Sequence, residues 1–296
     1  MCDNNAVEGG GLFHTEGQRT MSFTQDDITR SGYRLPTAPP DSWRTYDERN
    51  PIPGYFEFDW LSSRHPDLYH QFALSTVGLM NKLHTLFDLT GCDVVDIGAG
   101  TGRSAMEAAK KAKRVFAVDL YESVVAFGRN ALQKIGVTNV HYVIGDREHL
   151  PLAENSVDVA INAWAELNPH EAYRVIKPNG YLIQMGATLE ALCGEITAEL
   201  APDYEWIPQV VAPAEVYAPD YPDAHCTADN SIWGGIPVNG PIHVHQFTYV
   251  ADYGDYTELA AITGRLYGSK AKCYFLTKQQ ATFAWRLQLM IGQVSK

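Results

Sequence analysis

Five short apolar runs alternate with helix-like stretches over residues 91–185, and this alternation constrains the fold more than any other feature of the chain. The runs are 93–97, 115–118, 140–144, 157–162 and 181–185. Each is short, mostly apolar and bounded by turn residues, which suits a strand buried on both faces. Helical patterns lie between them at 104–113, 122–135 and 171–176, with Gly136 a natural stop for the second. Such an order predicts a doubly wound α/β sheet with helices on both faces. Ligands of these sheets bind beyond the carboxyl ends of the strands, where the strand order reverses. In this chain those ends carry Gly98, Asp119, Asp146 and Asn162.

The first run opens into Gly98-Ala99-Gly100-Thr101-Gly102. Glycines after a strand let the backbone turn tightly and let a ligand approach it. A dinucleotide fingerprint needs its third glycine three residues after the second, and Arg103 stands there instead. Asp96 stands just before the loop. A carboxylate at that point opposes a phosphate and suits an ammonium or sulfonium group. Asp119 follows the first glycine by about 20 residues, the spacing of an acid that accepts from ribose hydroxyls. Asp146 ends the third run, placed to accept from an exocyclic adenine amine. One such acid alone reads as a helix cap. Three at successive strand ends describe a cationic nucleoside without phosphate.

The segments VVDIGAGTG, VFAVDL, VIGDREHLPLAENSVDVAI and EAYRVIKPNGYLI resemble the successive motifs of the class I S-adenosylmethionine-dependent methyltransferases. The run 91–185 is most similar to the small-molecule branch that includes the ubiquinone/menaquinone-biosynthesis methyltransferases. The resemblance implies a seven-stranded, mostly parallel sheet with its last strand antiparallel, and S-adenosyl-L-methionine as cofactor. It implies that Asp96 and the backbone of Gly98, Ala99 and Gly100 hold the methionine portion, and that Asp119 binds the ribose. Leu120 would lie against the adenine and Asp146 would bind its amine, with Arg147 beside it. Asn162 would line the methionine side. Trp164 and Glu166 lie where the family places substrate contacts, although one could equally pack under a cap and the other be solvated. The resemblance names no catalytic base. None is required where the acceptor ionises easily.

Outside that run the chain is less legible. Residues 1–50 read as an irregular N-terminal arm. Residues 51–90 read as a cap segment, with the aromatic cluster Tyr55, Phe56, Phe58 and Trp60 and then a helix from near Pro66 whose Phe72, Met80, Leu83 and Phe87 share a face. The binding core spans 91–200 and includes a last helix over 189–200. Residues 201–241, rich in Pro, Tyr, Asp and Gly, read as an insertion or lid, in which Trp233 is expected to face the substrate. Residues 242–296 complete the sheet with strands over 244–250 and 283–291 around a helix at 256–267.

Charge and cysteines narrow the partners. The net charge of −12 repels nucleic-acid backbones. The basic run 110–114 closes a helix, where it complements the helix dipole. A small-molecule acceptor is therefore expected, with no nucleic-acid or membrane partner. A protein or RNA methyltransferase and a non-catalytic S-adenosylmethionine-binding module are the alternatives. His225, Cys226, His243 and His245 match no compact metal motif, so no metal is expected. Five scattered cysteines without a CxxC pair, a start without a signal-peptide pattern and the lack of a spanning apolar run point to the cytoplasm.

Overall fold

A computed structural model describes residues 62, 65–202, 207 and 210–296. The expected arm over 1–50, the aromatic cluster at 55–60 and parts of the insertion lie outside the described residues. Two helices come first, α1 (Pro66–Phe72) and α2 (Leu74–Leu86). The alternating core follows: β1 (Asp93–Ile97), α3 (Arg103–Ala108), β2 (Arg114–Asp119), α4 (Glu122–Ile135), β3 (Val140–Ile144), β4 (Val157–Ala163), α5 (Pro169–Val175) and β5 (Ile176–Ala187). A short helix α6 (Thr197–Leu200), an edge strand β6 (Ala224–Ala228), the long β7 (Ile242–Asp252), helices α7 (Tyr256–Tyr267) and α8 (Ser269–Lys278), and β8 (Thr282–Gln293) complete it.

All the strands join one sheet in the order β3-β2-β1-β4-β5-β8-β7-β6. The order reverses between β1 and β4, and their carboxyl ends open the crevice expected of a doubly wound sheet. β1 to β5 run parallel, while β8 pairs antiparallel with both β5 and β7, as expected of the last strand. The sheet has eight strands rather than seven because the insertion supplies β6, which pairs antiparallel with the outer edge of β7. Its sequence, AHCTA, lacks the continuous apolar run of a buried strand, since one face is exposed and the other is only partly covered.

Strand periodicity sorts the core into two layers. Val94, Val115, Ala117, Val159, Ile161 and Ile183 pack with α2, α3 and α7 on one face. Val95, Ile97, Val118, Ala160 and Leu182 pack with α5 on the other. By the same alternation Asp96 faces the first layer.

Two expectations are corrected. The helix over 189–200 is broken into 3-10 turns at Leu189–Ala191 and Gly194–Ile196 before α6. Gly194 has φ +57°, and a β-carbon there would lie 2.5 Å from the Phe283 ring, so the chain bends around β8 instead of continuing the helix. The turn at 178–180 does not end a helix ahead of a separate strand. It is a bulge inside β5: Val157 faces Ile176, the next pair is Val159 with Tyr181, and the residues between loop out. Among the described residues no helix is long and apolar enough to cross a membrane.

Candidate functional site at the crevice

The glycine loop is shaped by hydrogen bonds to β2. The amides of Gly98 and Ala99 both donate to the Val118 carbonyl, at 2.9 and 3.0 Å, and the Gly100 amide donates to Asp119 Oδ2 at 2.8 Å. The turn closes where the Gly102 amide donates to the Ala99 carbonyl at 2.9 Å. Gly98 lies against the loop that follows β4, and a β-carbon there would meet that of Ala165 at 2.4 Å. Asn162 clamps the same two loops. It is fully buried, and its Nδ2 donates to the carbonyls of Ile97 at 3.0 Å and Glu166 at 3.3 Å.

Asp96 is the most unusual side chain in the crevice. It is 1% exposed, and neither carboxylate oxygen has a partner at full hydrogen-bonding geometry. Burial, with a smaller contribution from the nearby Asp119 carboxylate, pushes its pKa up to about 7, opposed only by the approach of the Ala105 amide. Asp119 is likewise held above the ordinary carboxylate range by burial, although the amides of Tyr121, Gly100 and Leu120 pull the other way. Asn162 Oδ1 and Trp164 Nε1 are also buried without partners. Buried polar atoms are nearly always paired in native proteins, so three orphaned side chains at one crevice mark the place where a polar ligand completes the structure. An unpaired carboxylate there fits a cation and rejects a phosphate.

The remaining residues are disposed as follows. Asp146 is buried at the end of β3, and its Oδ1 accepts from the Glu148 amide at 3.0 Å. Leu120 is half-buried just after Asp119. Arg147 bridges Glu148 and Glu166, so Glu166 is neither free nor simply solvated. Trp164 has φ +61°, a strained value for a bulky residue, and its ring meets Trp285 edge-on at 4.9 Å. The structure thus gathers Asp96, the glycine loop, Asp119, Asn162 and Trp164 around one crevice.

Trp233 lies elsewhere. It is wholly buried in the layer on the opposite face from Asp96, where its Nε1 donates to Gln184 Oε1 at 3.0 Å. It fills the space left by the missing side chain of Gly292. The expectation that it faces a substrate is therefore corrected. Trp233→Ala is expected to cost about 3–5 kcal/mol of stability, the range for truncating a buried tryptophan, while leaving cofactor affinity unchanged. Urea denaturation and calorimetry on the same sample check both parts.

Residues of α1, which carried no motif, also reach the loop. His70 Nδ1 lies 2.9 Å from Thr101 Oγ1, and a β-carbon on Gly100 would lie 3.0 Å from the Tyr69 ring. Burial, assisted by the neighbouring Arg103 charge, lowers the His70 pKa to about 4, so the imidazole is neutral at pH 7. Their only signal in the sequence was adjacency to Phe72 on a short helix. Among the described residues no cluster of three or more ligating side chains is arranged to hold a metal. His225, His243 and His245 gather on the β6–β7 edge, away from the crevice.

Comparison with known proteins agrees with this geometry. Residues 94–180 match the family model described as a methyltransferase domain. A ubiquinone/menaquinone biosynthesis C-methyltransferase of Haemophilus ducreyi is 31% identical over 104 residues, covering 31% of this chain and 40% of the relative. A malonyl-[acyl-carrier protein] O-methyltransferase of Marinomonas is 32% identical over 125 residues, covering 39% of this chain and 46% of the relative. The chain thus spans less than half the length of either relative. A solved SAM-dependent methyltransferase from Aquifex aeolicus, 18% identical, superposes with a TM-score of 0.41 over 80% of this chain and 93% of its own. Residues 94–180 thus match a methyltransferase domain, and the relatives that share this segment are methyltransferases.

Proposed function

We propose that this protein transfers the methyl group of S-adenosylmethionine to a small-molecule acceptor by in-line displacement. The observation that carries the reading is the buried, unpartnered carboxylate of Asp96 beside the glycine loop, with Asp119 and Asp146 at the next two strand ends. The sulfonium methyl is already a good electrophile, so the protein's task is to hold the acceptor in line and exclude water. Asp96 and the Gly98–Gly100 backbone hold the charged amino-acid end. Asp119 has hydrogen-bonding capacity beyond the two amides it serves and accepts from the ribose hydroxyls. Leu120 packs on the adenine, and Asp146 accepts from its amine with Arg147 alongside. Asn162 lines the methionine side through its unpaired oxygen. Tyr69 and His70 close the loop from the α1 side. Trp164 faces the acceptor, and Glu166 with its Arg147 partner borders it.

A small acceptor is supported by the acidic net charge and by the ubiquinone/menaquinone and malonyl-carrier methyltransferases among the relatives. The cytoplasm is the proposed location, supported by five scattered cysteines without a CxxC pair. The test is calorimetry with S-adenosylmethionine and S-adenosylhomocysteine, followed by labelled-methyl transfer to thiol, phenol, amine and carbon-acid acceptors. Tight binding of both nucleosides and label in one acceptor class are expected. No binding would overturn the cofactor assignment, and binding without turnover on any class would leave a binding module.

A further inference from the structure

Arg103 follows the glycine turn and opens α3, half-buried beside α1 and β7. Its Nε donates to the His70 carbonyl at 3.2 Å. Among the described residues it has no ion pair and no other hydrogen bond, so both terminal amino groups of the guanidinium are unused. The acid nearest in sequence, Glu107, is paired with Lys110 instead. Burial holds the Arg103 pKa below its ordinary value, opposed by Glu107 and by the phenols of Tyr249 and Tyr253. Those phenols stay protonated, since burial raises both. Tyr253 donates its own proton to the Phe72 carbonyl at 3.0 Å, and the Tyr249 ring is seated against Gly78 of α2.

The niche thus holds a half-buried cation, a neutral imidazole and two neutral phenols, and among the described residues no carboxylate pairs with the guanidinium. A desolvated charge without a counter-ion is unfavourable. A planar guanidinium with two free amino groups presents the fork that matches a carboxylate. We infer that Arg103 receives a carboxylate of a bound ligand in this niche. The inference rests on the methyltransferase reading above, which places a ligand next to the glycine loop. The carboxylate has two possible sources, the amino-acid end of the cofactor and an acidic acceptor.

Two titrations separate them. Wild type and Arg103→Met are titrated with S-adenosylhomocysteine and with 5′-methylthioadenosine, which keeps the nucleoside and lacks the carboxylate. Both proteins, saturated with S-adenosylhomocysteine, are then melted against pairs of small carboxylic acids and their amides. If the cofactor is the source, the variant binds S-adenosylhomocysteine roughly 10-fold or more weakly and methylthioadenosine as before. If the acceptor is the source, both nucleosides bind unchanged, while wild type is stabilised by an acid over its amide and the variant is not. Arg103→Lys, which keeps the charge and loses the fork, is expected to fall between the two, and it serves as the test if Arg103→Met does not fold. Equal weakening of both nucleosides means that Arg103 only positions α1, and this overturns the inference. So does a variant that binds both normally when no acid outperforms its amide in wild type. Failure of wild type to bind either nucleoside refutes the methyltransferase reading instead.

Discussion

Asp96→Asn is expected to weaken S-adenosylmethionine binding by about 2–5 kcal/mol, roughly 30-fold to several thousand-fold, while making the ligand-free protein more stable at pH 8. The two effects share one cause. The Asp96 carboxylate is buried without partners, so its ionisation is unfavourable until a cation arrives. Its pKa is about 7 in the folded chain against 3.8 for an ordinary aspartate. A raised acid favours the folded state while it is protonated. The stabilisation is therefore complete below pH 3.8 and is lost as pH rises toward 7. The full difference corresponds to about 4 kcal/mol. The neutral asparagine has no such loss, so variant and wild type melt alike near pH 4 and diverge by pH 8. Asp119, also raised, faces the same space and titrates against it, while the buried Tyr142 hydroxyl nearby stays protonated.

Cofactor affinity runs the opposite way. A cationic ligand needs the ionised carboxylate, so wild-type affinity should fall about tenfold per pH unit below 7 and level off above it. In Asp96→Asn that slope should flatten. Calorimetry from pH 5.5 to 8.5, with thermal melts of the free proteins, measures both. An affinity indifferent to the substitution would remove Asp96 from the site.

The second large effect is expected at Gly102. It has φ +85°, and a β-carbon there would lie 1.6 Å from the Tyr142 hydroxyl oxygen. Gly102→Ala combines a left-handed backbone penalty of about 1–2 kcal/mol with an overpacking cost of about 1–3 kcal/mol. A total loss of about 2–5 kcal/mol is expected by urea denaturation. Gly136, with φ +71° and no heavy atom within 4 Å of where a β-carbon would stand, is the control, and Gly136→Ala should show the backbone penalty alone. Adding Tyr142→Phe to Gly102→Ala should recover part of the loss. Recovery is incomplete because a ring carbon still lies 2.7 Å away. Alone, Tyr142→Phe removes a buried hydroxyl without a partner and should be neutral or stabilising by about 1 kcal/mol. If Gly102→Ala costs no more than Gly136→Ala, the close approach of Tyr142 is not a constraint on the fold.

The strands of the crevice were legible because a strand buried on both faces is predominantly apolar rather than alternating. The expected 93–97 and 140–144 match β1 and β3 residue for residue. β6 and α8 were not legible. β6 is a half-exposed edge strand without an apolar run, and α8 carries its apolar residues with little segregation to one face. The acids were legible because they stand at strand ends, where the order of strands alone brings them together. Trp233 misled because an aromatic beside Gly234-Gly235 looks the same whether it lines a pocket or fills a core. Its burial depends on Gly292, which is 59 residues further along the chain.

From local pattern alone the chain determined its parallel core, the loop conformation that only glycines allow and the placing of three acids at successive strand ends. These depend on neighbours in sequence and on strand periodicity. Only the tertiary structure decided which buried polar groups lack partners among the described residues, that α1 brings His70 onto the glycine loop, and that Arg103 forms no ion pair among those residues. Pairing, burial and pKa depend on residues distant in the chain, and packing alone brings those together.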